Sequence, residues 1–311
     1  MKKPKFVISL TTRDNDYQQE QGTSAQEAAA RLGIEIELVY AENDAVLQSQ
    51  QLLKGIQSSP ESRPSGIIFE PVGGTAMPQV AKAAAAAGIG WVVLNREVEY
   101  LAELRASFKV PMFSITSDHE EIGRIQGKQI GALLPKGGSI LLLQGPAESL
   151  AAKQRAAGLI EAKPANLQVK SIKANWTEAS AHRSVSSWLK LSTSQHSVLD
   201  AVAAQDDSMA LGARKAFQEI HDLALRDRWL AIPFLGIDGM PKTGQADVRR
   251  GLLAATIIVP TNTGTGIELL ARALNSGVNP PEKTLTAAQS FPCIEELTRK
   301  GAQKARGTAA H

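Results

Sequence analysis

At 311 residues the chain is long enough for two lobes of ordinary domain size, each with its own core. Its 43% hydrophobic and 21% charged residues exclude a disordered or fibrous protein. The excess of 34 Lys and Arg over 31 Asp and Glu is too small to argue for nucleic acid or a membrane surface as partner. The basic clusters at the two ends (Lys2, Lys3, Lys5; Arg299, Lys300, Lys304, Arg306) read as solvated termini. One cysteine, Cys293, excludes an internal disulfide and a cysteine-ligated metal cluster; it reads as a small buried hydrophobe. The longest apolar runs are strand-length, so none reads as a membrane span.

The three lysines lead into FVISL and then the polar TTRDNDYQQEQ, which reads as a strand and not a secretory leader. The expectation is a cytoplasmic protein, or one whose leader lies outside this sequence. KFVISL (5–10) is followed by a helix ending at AQEAAARLG, the strand IEIELVYA, a helix over AVLQSQQLLKGIQ, the strand GIIFEP, the helix MPQVAKAAAAAG and the strand WVVLN. YLAELRASFKVP reads as irregular. FSITSDHEEIGRIQG then marks a change of lobe, with Asp118 and Glu121 at the spacing of a capping box. The second half repeats the rhythm: SILLLQG, a helix over AAKQRAAGLIEA, LQVKSIKA, a helix over ASAHRSVSSWLKL, SVLDAVAAQ, a helix over SMALGARKAF, and LAIPFLGID. A short helix over Ile294–Lys304 is expected to close the chain. Continuous apolar runs separated by helices are the pattern of parallel strands buried on both faces. The fold class is therefore α/β, with more strands than one modest sheet carries and so two sheets in two lobes.

Ligands of open α/β sheets bind beyond the carboxyl ends of the strands. Standing there are Asn15 and Tyr17, Glu70, Asn95 and Arg96, Lys153 and Arg155, Asn175 and Trp176, Asp206, Asp238, and the segment VPTNTG. Each has a plain structural alternative. Asp207 and Asn175 can cap helices, Asp238–Gly239 can be a turn, Arg155 can be an exposed charge, and Tyr17 or Trp176 can be core. Taken together they bring carboxylates, amides, guanidinium groups and aromatic rings to one kind of edge. The five histidines (His119, His182, His196, His221, His311) fall away from strand ends and read as surface or capping residues.

The stretches AQDDSMALGARKAF, FLGIDGMP, SLAAKQRAAGL and WVVLNRE, in this order, resemble the type I periplasmic sugar-binding proteins, the ribose- and galactose-binding group. The resemblance runs from Lys5 to Gln289. The same fold serves lactose-repressor-type regulators, but a first strand at residue 5 leaves no room for their helix-turn-helix. The resemblance implies two Rossmann-like lobes, 1–115 with 261–287 and 116–260 with 288–311. Three crossing strands, near Ile115–Ser117, Ile258–Pro260 and Ala287–Gln289, would join them and let them close on a ligand. It assigns ligand-facing positions to Asn15, Tyr17, Gln18, Glu70, Asn95, Arg96, Arg155, Trp176, Asp206 and Asp238. Gln18 stands in place of a second aromatic, Asn95 in place of an acid, and Asp206 where ribose binders have asparagine. Val259 replaces a frequent glutamine, for which Thr261 and Asn262 can substitute. On this reading Asp206 faces the ligand and Asp207 caps the helix, so the adjacent acids need be neither a metal pair nor a catalytic dyad.

The resemblance implies a carbohydrate or polyol ligand, a membrane permease of an ABC transporter as partner, no cofactor and no metal. It also implies a periplasmic location and a monomer. Carboxylates accept from sugar hydroxyls, guanidinium groups donate, and rings cover apolar faces. Glu70, Asp206 and Asp238 are more acidic than the ribose pattern, which favours an amino sugar or an inositol-like polyol over ribose. Two rivals remain. One is a sugar-sensing component for a signalling partner. The other is an enzyme, against which stand the absence of GxGxxG after the first strand, of a Walker sequence and of a GxSxG elbow.

Overall fold

The computed structural model describes residues 3–73, 77–195 and 197–307. Lys2, His196 and His311 lie outside the described residues, as do the side chains of Lys304 and Arg306. In chain order the strands are β1 Lys5–Leu10, β2 Glu35–Tyr40, β3 Gly66–Phe69, β4 Gly90–Leu94, β5 Met112–Ser117, β6 Gly138–Gln144, β7 Leu167–Lys173, β8 Ala201–Ala204, β9 Phe234–Leu235, β10 Thr256–Ile258, β11 Lys283–Thr286 and β12 Gln289–Phe291. The chain forms two compact units, Met1–Ser117 with Pro260–Thr286, and Asp118–Val259 with Ala287–His311.

In the first unit six parallel strands form one sheet in the order β11-β5-β4-β3-β1-β2. The period of two divides each strand between two cores. Val7, Ile67, Phe69, Trp91, Val93 and Met112 enter one; Phe6, Ile8, Ile68, Val92, Phe113 and Ile115 enter the other with Ile267 and Leu270. The helix Thr263–Ser276 lies against the sheet because Gly66 and Gly90 leave room for it: a Cβ there would fall 2.4 and 2.6 Å from Leu270 methyls. The YLAELRASFKVP stretch is not irregular, as expected from sequence, but carries a helix over Tyr100–Ser107. Leu101 and Leu104, three apart, bury against the first core, and the Tyr100 hydroxyl accepts from Trp91 Nε1 at 3.1 Å. Tertiary packing thus stabilises a helix too short to be stable alone.

The second unit has a four-stranded parallel sheet, β7-β6-β8-β9, and an antiparallel pair, β10-β12. Leu141, Leu143, Val202 and Ala204 face one core, and Ile140, Leu142, Ala201 and Ala203 the other. The helices His119–Leu133 and Leu150–Ala162 are pressed together at glycines. A Cβ on Gly158 would lie 2.0 Å from the Glu120 carbonyl oxygen, and one on Gly123 would lie 2.1 Å from that of Arg155. Asp118 caps the first of these helices by accepting from Glu121 N at 2.9 Å, as its spacing predicts. The last helix runs Ile294–Gly307, with Leu297 buried. Cys293, expected to be buried, is exposed: it lies just before this helix and presents its carbonyl to the Glu296 and Leu297 amides.

Candidate functional site

The carboxyl ends of the strands in the first unit carry a continuous hydrogen-bonded network. After β1, Asn15 caps the helix Asp16–Leu32 by accepting from Gln18 N at 3.2 Å, which sets the first turn and buries Tyr17 and Gln18. Gln18 accepts from Thr11 N at 3.2 Å and donates to Glu70 Oε2 at 2.9 Å. Asn95, after β4, donates to the same oxygen at 2.8 Å. Its own Oδ1 accepts from Asn262 Nδ2 at 2.7 Å. The single Tyr17 hydroxyl hydrogen goes to the Pro260 carbonyl at 2.9 Å in preference to Asn95 Oδ1 at 3.4 Å. Asn262 Oδ1 accepts from Thr286 at 3.1 Å, and the Asn262 and Thr263 amides are held by Gln21 Oε1 at 2.7 and 3.0 Å. Burial raises the Glu70 pKa, opposed by the Gln18 and Asn95 hydrogen bonds and by the charge of half-buried Arg96. Gln21 was not among the sequence candidates. It stands a turn beyond Gln18 on the same helix face, and that spacing is the signal that could have found it.

The second unit gathers a charged group of different construction. Arg155, 7% exposed, donates from Nη1 to the Gln205 carbonyl at 2.5 Å and from Nε to His119 Nδ1 at 3.4 Å. Its guanidinium carbon lies 5.7 Å from the centre of the Trp176 ring, and Nη1 is 3.9 Å from Asp238 Oδ1. A Cβ on Gly145 would sit 2.1 Å from Trp176 Cζ2, so the ring requires glycine there. Gln205 ties these parts together, accepting from Gly145 N and donating to the Ala152 carbonyl, each at 2.9 Å. Three of the candidates have left-handed backbone: Asn95 (φ 56), Trp176 (φ 59) and Asp238 (φ 109). Such conformations cost about 1–3 kcal/mol each and cluster at functional sites.

Three sequence expectations are corrected here. The cap of the helix Asp207–Gln218 is not Asp207. Asp206 is the cap, its Oδ1 accepting from Met209 N at 2.5 Å. Asp207 is the first residue of the helix and turns inward, accepting from Gly239 N at 2.8 Å and from the Thr256 hydroxyl at 2.6 Å. Gly236 and Gly244 make room for this carboxyl; a Cβ on either would lie 2.0 or 1.9 Å from its oxygens. Burial pushes the Asp207 pKa well above the usual carboxylate range, against the bonds from Thr256 and Gly239. What Asp207 does is anchor the Asp238–Gly239 turn. Asn175 is not a cap; that role falls to Thr177, which accepts from Ser180 N at 3.2 Å. His119 is neither a surface nor a capping residue but is buried against Arg155, whereas His182 pairs with Glu219 at 2.8 Å and His221 is exposed.

Among the described residues, no cluster of three His, Cys, Asp or Glu could hold a metal ion, and no helix is long and apolar enough to cross a membrane. Residues 6–276 match the periplasmic binding protein domain family. The chain belongs to that family. Among its relatives is the ribose import binding protein RbsB of Salmonella typhimurium, 26% identical over 276 residues that cover 88% of this chain and 86% of that protein. The fold matches that of a galactofuranose binding protein, with a TM-score of 0.80 and 19% identity over 97% of this chain and 99% of the other. It also matches a Bacillus halodurans ABC transporter solute binding protein solved with myo-inositol, with a TM-score of 0.77 and 21% identity over 96% and 98%.

Proposed function

We propose that the protein is the solute-binding component of a carbohydrate ABC transporter, taking a sugar or sugar-like polyol. A membrane permease is its partner, it works as a monomer in the periplasm, and it binds without turnover. The observation that carries this reading is the Arg155 assembly: a buried guanidinium braced on a backbone carbonyl and an imidazole, beside an aromatic ring and a carboxylate. Guanidinium donates to ring and hydroxyl oxygens, a carboxylate accepts from hydroxyls, and a ring covers C–H faces.

In the first unit Glu70, Asn95, Arg96 and Asn262 add acceptors and donors suited to hydroxyls. Asn15 supports these groups as a helix cap and Gln18 orients Glu70, while in the second unit Asp206 caps the helix Asp207–Gln218. The kinship with a ribose-binding protein and the fold shared with a myo-inositol complex support a neutral, hydroxyl-rich ligand. The test is a thermal-shift screen of pentoses, hexoses, amino sugars, inositols and alditols, followed by calorimetry. Ligand at about 100 times its Kd adds about 2.7 kcal/mol of apparent stability. A shift confined to one stereochemical class and lost in Asp238→Ala supports the reading. No shift across the panel, or sustained turnover of any member, overturns it.

A further inference from the structure

His119 opens its helix, yet the capping there is done by Asp118, and the imidazole turns instead to Arg155. A guanidinium has only donors, so at 3.4 Å from Arg155 Nε the His119 Nδ1 must offer a lone pair. A ring that accepts there is neutral and carries its hydrogen on Nε2. Gly123 and Gly158 bring the two helix backbones close enough for an imidazole to reach across. The guanidinium is held by the Gln205 carbonyl and the Asp238 carboxylate at Nη1, the Trp176 ring alongside, and His119 at Nε.

We propose that His119 is the positioning residue of Arg155, and that its protonation releases the guanidinium and weakens ligand binding in acid; this rests on the sugar-binding reading above. A protonated ring has no acceptor at Nδ1 and places a second cation against the first. Histidine is the side chain whose ordinary titration falls between about pH 5 and 8. The facing helix brings Arg155 and the exposed Lys153, and the strand ends of this unit bring Asp206 and Asp238. On its own helix Asp118 is engaged in the cap, and Glu120 and Glu121 are paired with Arg124. Strands β10 and β12 contain no ionisable side chain, and the C-terminal helix approaches further along, at Ala132.

The test compares wild type, His119→Leu and His119→Asn, since an asparagine Oδ1 can take the place of Nδ1 as acceptor but does not titrate. Calorimetry uses the sugar or polyol identified in the screen. His119→Leu is expected to weaken binding about ten- to a hundredfold, as for loss of a hydrogen bond to a charged group. His119→Asn is expected to restore most of that affinity. Wild-type affinity should fall about tenfold or more from about pH 8 to about pH 5, while His119→Asn stays flat. A pH-independent wild type, a sloping His119→Asn or a failed rescue each overturns the proposal. A second readout needs no ligand: nitrogen NMR of the imidazole at neutral pH should show Nδ1 bare and Nε2 protonated. A proton on Nδ1 overturns the inference even if no sugar binds, and a bare Nδ1 with no sugar bound overturns only the sugar-binding reading.

Discussion

The two units end their sheets in polar groups built on different principles. In the first, one carboxylate is shared by neutral amides: Glu70 accepts from Gln18 and Asn95, and Asn95 is held in turn by Asn262. In the second, a cation is braced by a backbone carbonyl, by the Trp176 ring and by His119, which stands on a helix that meets the Arg155 helix at glycine contacts. Amide networks tolerate exchange because oxygen and nitrogen donors can be re-paired. A guanidinium held on several sides at once cannot be replaced by a group of another shape.

The largest effect should come from Arg155→Lys. An ammonium keeps the charge but not the fork that reaches the Gln205 carbonyl and His119 together, so ligand affinity measured by calorimetry should fall about thirtyfold or more. Next is Gly145→Ala, whose Cβ would overlap the Trp176 ring. A roughly tenfold loss of affinity with a small change in Tm is expected, and unchanged affinity would remove Trp176 from the site. Glu70→Gln should cost less, about threefold, because the oxygen of the new amide can accept both existing hydrogen bonds. A loss as large as that of Arg155→Lys would erase the contrast between the units.

The smallest effect is a pH slope. Asp207 and Glu70 both have raised pKa values, so the folded state holds more protons than the unfolded state between the ordinary carboxylate pKa and the raised one. Stability is then greatest below the unfolded pKa and is lost as pH rises through the folded pKa. Denaturant titrations at several pH values should show this decline. Asp207→Asn should flatten it more than Glu70→Gln, since Asp207 is displaced further.

Much of this was legible in the sequence. The apolar runs of β1, β3, β4, β6 and β8 pack on both faces, and continuous runs between helical segments imply parallel strands buried in that way. Polar residues at strand ends follow from the same pattern, since the chain must leave the sheet there. The order of Asp206 and Asp207 was not legible. Both are good caps, and the choice depends on where helical geometry begins and on the pocket that Gly236 and Gly244 leave for one carboxyl. The helix at Tyr100–Ser107 was missed because its stability comes from the surface under Leu101 and Leu104, which no local pattern displays.

The sequence by itself determined the α/β class, the positions of strands β1 to β4 and β6 to β9, and the residues available at the strand ends, because hydrophobic period and turn chemistry are local properties. Only the tertiary structure decided which of those residues work together. Arg155 meets His119 across helices brought together at Gly123 and Gly158, and Asn95 meets Glu70 and Asn262 from neighbouring strand ends. Those partners lie up to 167 positions apart, and their meeting depends on sheet order and close helix approach, which no short stretch of sequence contains.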